Sequence, residues 1–172
     1  TTAALVTVGV LAYQASATVP VGLGEPQTSA SPAAAASKAP RDTANPAALP
    51  GVSGSGERVV YSVDDDRVWL VDARERVTRT FTVTPGSVDP VPGTYPVTSR
   101  ANSVTGTDGT PIEHVVRFTA VDGVAIGFSA AVGKPRSAAD TDVRTGGIRE
   151  SREDGEAMWE FATIGVKVVV IP

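Results

Sequence analysis

Residues 24–57 spend 23 of their 34 positions on Ala, Pro, Ser and Gly. Such a stretch cannot bury enough apolar surface to offset the entropy of ordering it, so a fold has to be built from the flanking sequence. Residues 1–23 are uncharged, and Ala3–Tyr13 (AALVTVGVLAY) is nearly all apolar. A run of about 11 residues is short for a bilayer span and matches the hydrophobic region of an export signal. Ala15-Ser16-Ala17 supplies a small-x-small cleavage pattern, whereas Val19, Val21 and Leu23 extend the uncharged stretch far enough for an uncleaved membrane anchor; a buried helix is the third reading. No charged region or Met precedes the run, so a start upstream of Thr1 is expected. Signal and anchor both place the remainder outside the membrane: in the cell wall, extracellular, or anchored and facing outward. Residues 24–57 then form a disordered tether reaching roughly 30–35 Å as a coil. Residues 58–172 are long enough for one compact domain.

Charge and chemistry narrow the functional classes. Lys and Arg number 15 against 19 Asp and Glu, a net charge of −4, so there is no cationic surplus to neutralise a nucleic-acid backbone. No cysteine is present, which excludes disulfides, thiolate metal sites and a thiol nucleophile. The single histidine, His114, reads either as a half-exposed strand-end residue or as a proton-transfer group. Asp64-Asp65-Asp66 reads as a solvated turn, because the spacing of a calcium loop is absent. No metal and no cofactor are expected.

The compact region is written mostly in strand signals. Arg58–Val63 and Arg67–Asp72 are rich in β-branched residues and flank the Asp64–Asp66 turn, which predicts a hairpin. Val77–Thr84 alternates, with Val77, Arg79, Phe81 and Val83 on one face. A loop with Pro85-Gly86, Pro90 and Pro92-Gly93 leads to a strand over Thr94–Thr98. Val115–Val121 and Val124–Ala130 flank Asp122-Gly123 as a second hairpin. Residues 131–147 form a polar, Gly- and Pro-containing loop of a length associated with binding or active sites. One helix is predicted, with Ser151 as N-cap, Glu153, Asp154 and Glu156 at the positive end of its dipole, and Gly165 as its stop. Met158, Phe161 and Ala162 share a face that Trp159 widens, and Trp69 and Trp159 are assigned to the core. Val166–Ile171 closes the fold as a strand buried on both sides. The expected class is mainly β, a sandwich or barrel with one late α-helix.

These landmarks carry a resemblance. Thr80-Phe81-Thr82-Val83-Thr84-Pro85-Gly86, Pro90-Val91-Pro92-Gly93-Thr94-Tyr95-Pro96-Val97, Thr145-Gly146-Gly147-Ile148-Arg149 with the helix after it, and Ile164-Gly165-Val166-Lys167-Val168-Val169-Val170 resemble, in order, the landmarks of the L,D-transpeptidase catalytic domain over about 110 residues. The resemblance implies an L,D-transpeptidase-like fold. It also implies an acyl-transfer site in which a cysteine thiolate, activated by a histidine, attacks a peptidoglycan stem peptide.

Here the sequence departs from the family. The cysteine position is Gly147, and the stretch matching the histidine segment, Ile126, Gly127 and Phe128, has no histidine. The chain then reads as a degenerate member, an exported cell-envelope module binding peptidoglycan stem peptide or a partner protein. The implied cleft comprises Phe128, Ser129, Arg144, Thr145, Gly146, Gly147 and Arg149. Arg149 could clamp a carboxylate or pair with Glu153 or Asp154 of the helix start. Two rivals stand: an active transpeptidase using a non-cysteine nucleophile such as Ser129, and a spacer without a ligand. Membrane contact would run through residues 1–23 if these are uncleaved.

Overall fold

The computed structural model describes residues 44–133 and 143–172. The proposed signal or anchor, most of the tether and part of the 131–147 loop lie outside the described residues. Among those described, no helix is long and apolar enough to cross a membrane.

The hairpin signals are realised first. β1 (Arg58–Ser62) pairs antiparallel with β2 (Arg67–Val71), which pairs with β3 (Val77–Thr82). The last strand, β9 (Lys167–Ile171), runs parallel to β1 and is flanked on its other edge by β4 (Gly93–Pro96). This central placement explains why Val168–Ile171 are buried: both edges are paired and both faces are covered. The first sheet has the order β3-β2-β1-β9-β4. The second has the order β5-β6-β7-β8, built from β5 (Ser99–Thr105), β6 (Pro111–Val121), β7 (Val124–Ala131) and β8 (Gly146–Glu150). An isolated antiparallel bridge between Thr84 and Arg149 stitches the sheets together, the two backbones exchanging hydrogen bonds of 2.7 and 2.8 Å.

The sheets pack face to face with α1 (Arg152–Phe161). Ser151 caps the helix by accepting from the Asp154 amide at 3.1 Å. Met158 and Ala162 reach the main core, where Tyr61, Leu70, Phe81 and Val168 meet Phe118, Ile126, Phe128 and Ile148. The mainly β sandwich with one late helix is therefore present. Two strands differ from the reading of the sequence. β5 is polar and largely uncovered, so it carries no alternation, and β8 opens on two glycines inside what was read as loop.

The compact unit also reaches further back than Arg58. On the outer face of the first sheet, Val60, Trp69, Val71, Val169 and Ile171 form a second apolar cluster against which Leu49 packs. Trp69 Nε1 donates to the Ala47 carbonyl at 2.9 Å. The buried Arg58 donates to the carbonyls of Ser53 at 2.7 Å and Gly56 at 2.6 Å, and pairs with Glu75 at 2.7 Å. Residues 47–57, expected within the tether, thus strap an apolar sheet face that would otherwise meet water. Limited proteolysis of the full chain should leave a resistant fragment that begins no later than Ala47. Mass spectrometry checks this, and a core starting at Arg58 would contradict it.

Candidate functional site

Strand alternation divides β7 into two sides. Ile126, Phe128 and Ala130 turn inward, and Gly127 and Ser129 turn to the outer face of the second sheet. Parallel pairing sets Gly127 opposite Gly147 and Ser129 opposite Arg149, and antiparallel pairing sets Arg117 of β6 opposite Gly127. The histidine-like and cysteine-like segments of the resemblance are therefore neighbours on one sheet face. They floor a pocket of about 140 Å³, rimmed by Thr105–Thr107.

The floor is tight at its two central glycines, against backbone at Gly127 and against a flexible side-chain end at Gly147. A Cβ on Gly147 would stand 2.9 Å from the Arg149 guanidinium carbon. One on Gly127 would stand 2.6 Å from the Val116 carbonyl oxygen and 3.2 Å from the Cγ of Arg117. Arginine side chains thus lie beside both glycines, in space that side chains there would need.

Arg149 is the hub of the pocket. It donates to the Ser129 hydroxyl at 2.5 Å and to the Asp108 carboxylate at 3.2 Å. The latter is a pair whose side chains are only 10% and 9% exposed. Burial pushes the Asp108 carboxyl up, but the Thr110 amide and the Arg149 charge outweigh it and hold the group below its usual range. Thr145 is a buried tie: its hydroxyl accepts from Thr107 at 3.0 Å, and its amide donates to Ser87 Oγ at 3.0 Å.

Other expectations are placed differently. Phe128 is fully buried, ring-stacked on Phe118, and lies in the core rather than the cleft. The Arg144 side chain is exposed and reaches Asp122 at 3.4 Å, away from the pocket. Arg149 does not pair with the helix start; Arg79 takes Glu153 at 3.0 Å and Asp154 at 2.7 Å. Ser129 is 1% exposed beneath a guanidinium. His114 lies within β6 and packs its ring on Trp159, centroids 5.7 Å apart. Trp159 is half-buried, with Arg100 over its ring at 3.6 Å. Two charged residues outside the expected cleft matter to the pocket: Arg117, which lines it, and Asp108, which pairs with Arg149 there. Each had a signal: Arg117 interrupts Val116-x-Phe118 on the opposite strand face, and Asp108-Gly109 is hairpin-turn chemistry.

No protein-family model matches the sequence, and no curated protein matches it. Solved structures do. An L,D-transpeptidase from Xylanimonas cellulosilytica is similar at 18% identity with a TM-score of 0.53, over 72% of this chain and 65% of that one. One from Stackebrandtia nassauensis is similar at 14% and 0.53, over 69% and 56%. An L,D-transpeptidase from Enterococcus faecium is similar at 16% and 0.53, over 68% and 50%. The fold is that of the L,D-transpeptidases. The likeness spans about half to two thirds of the length of those chains. On this L,D-transpeptidase fold the pocket brings together Ser129, Thr145, Gly147 and Arg149 of the expected cleft with Arg117, and Asp108 joins it through Arg149; Gly146, also expected in the cleft, lies opposite Ile126 and faces the core instead.

Proposed function

We propose that the chain is an exported, envelope-tethered binding module on an L,D-transpeptidase fold, without acyl-transfer activity, that holds a peptidoglycan stem peptide or a partner protein in the pocket beside Arg149. One observation carries the reading: the position matching the family's nucleophile is Gly147, and the Arg149 guanidinium occupies the volume a side chain there would use. The alternative nucleophile, Ser129, argues the same way. Its hydroxyl is buried and accepts from a cation, and the only histidine stacks on Trp159 instead of reaching it, so among the described residues no histidine is positioned to take its proton. The link to peptidoglycan comes from the resemblance and from the fold shared with L,D-transpeptidases. Retention of the full chain on purified cell-wall sacculi tests the reading. We expect sedimentation with sacculi and an unchanged intact mass after incubation with a carbapenem. A stable acyl adduct would overturn the non-enzymatic assignment, and no retention on sacculi would overturn the peptidoglycan ligand.

A further inference from the structure

The pocket contains a cation that the other described residues do not engage. Arg117 lines it half-buried, and among the described residues its guanidinium has neither an ion pair nor a hydrogen bond. Every other half-buried or buried arginine of the described chain is engaged: Arg58 by Glu75, Arg67 by Thr80, Arg79 by α1, Arg100 by Trp159, and Arg149 by Asp108. A guanidinium kept partly out of water without an acceptor is costly unless something anionic visits it.

Its neighbour shows what such a visitor would be. Arg149 already holds a carboxylate, that of Asp108, and donates its other arm to Ser129. Asp108 stands at the tip of the β5–β6 hairpin, in a turn closed by the Gly109 amide on the Gly106 carbonyl at 2.9 Å. Gly109 sits at φ +75°, the left-handed region that glycine adopts without strain. The turn is held in place by the Thr107 hydroxyl on Thr145 at 3.0 Å, so exchange at Arg149 asks only for the Asp108 side chain to move.

The geometry points to a carboxylate-binding site in which Asp108 is the internal occupant: an incoming carboxylate takes its place on Arg149 and is shared with Arg117, across the flat floor made by Gly127 and Gly147. The volume of about 140 Å³ admits a small acid or the end of a peptide, not a folded chain. This rests on the reading of the pocket as a binding site and names the ligand group it takes.

The test uses the full chain, isotope-labelled, and follows Arg Nε–H and backbone amide resonances. N-acetylglycine and trialanine should shift Arg117, Arg149 and residues 106–110; N-acetylglycinamide and trialanine amide, neutral twins of the same shapes, should not. Tighter binding of trialanine than of N-acetylglycine assigns the source as a peptide end, and the reverse assigns a free acid. Asp108→Asn removes the internal competitor and should tighten either acid about tenfold, while Arg117→Gln should weaken it about tenfold. Equal shifts from the neutral twins would overturn the inference, as would a folded Asp108→Asn that binds no tighter. Should Asp108→Asn not fold, Arg117→Gln decides alone, since that guanidinium has no partner to lose among the described residues, and unchanged affinity there is fatal. Sacculus retention without any response to carboxylates would sink this inference and spare the peptidoglycan reading. The opposite result would do the reverse.

Discussion

Truncating Phe128 to alanine is expected to cost about 3–5 kcal/mol, the range for a large aromatic removed from a close-packed core. Its ring is inaccessible to solvent, stacks on Phe118 with centroids 5.3 Å apart, and receives Tyr61 edge-on at 5.9 Å. Such pairs add to the loss of buried area, because their quadrupoles are oriented favourably in both geometries. The void would open midway between the two sheets, where neither can move in without breaking its hydrogen-bonded register. Urea unfolding measures the effect as a lower midpoint at constant slope. Arg144→Ala is the matched control: the Arg144–Asp122 contact is exposed on both sides and should stay within ~0.5 kcal/mol of the parent. If Phe128 instead lined a cleft, its truncation would leave the midpoint nearly unchanged.

That contrast shows where the sequence is legible and where it is not. The β1–β2 hairpin, the closing strand β9 and the Ser151 cap were readable because each depends on local pattern: β-branched runs beside an acidic turn, or a hydroxyl facing a free amide. β5 was not readable, since an exposed strand is specified by its partner β6 and not by its own periodicity. In β8 the glycines are explained only by what surrounds them. Gly127, opposite Gly147, backs onto the Val116 carbonyl too closely for a Cβ, whereas Gly147 lies under the flexible guanidinium end of Arg149 from its own strand. The same fact closes a design that the sequence alone invites. A histidine placed at 127 to supply a base would drive its Cβ against the Val116 carbonyl, and one placed at 128 would point into the core. In the pocket, Ser129, Thr145, Gly147 and Arg149 were found through a motif, whereas Arg117 and Asp108 reach it by pairing across strands and by a turn. Phe128 was misplaced for one reason: adjacent residues on a strand face opposite ways, so it and Ser129 cannot share a cleft.

The same alternation buries a carboxyl, and the consequence is a stability that falls as pH rises. Glu150, the last residue of β8, turns inward beside α1; it is 5% exposed, and among the described residues neither carboxyl oxygen has a hydrogen-bond partner. Burial, reinforced by the nearby Asp154 carboxylate, pushes its carboxyl well above the ordinary range and so favours its neutral form in the fold. In the unfolded chain it ionises near the usual value of about 4.3. Between those two values the folded state binds the extra proton. Its contribution is therefore complete below the unfolded value and is lost as pH climbs toward the folded one, with a limiting slope of about 1.4 kcal/mol per pH unit. The carboxyls held low by partners, Asp72, Glu75, Asp108 and Glu113, act with the opposite sign. Their contributions are already in place above the ordinary carboxylate range and do not mask the decline. Asp66, raised by burial and by Asp89 and Asp65, shares the sign of Glu150, so the parent is compared with Glu150→Gln, in which only the Glu150 contribution is gone. Urea midpoints in buffers from about pH 5 to 8 should fall more steeply for the parent than for the variant. Glu150→Met should go further and stabilise the chain at neutral pH by about 1–3 kcal/mol, because an apolar side chain replaces two unsatisfied oxygens. Parallel curves for the parent and Glu150→Gln would mean that the carboxyl finds a partner or water in solution.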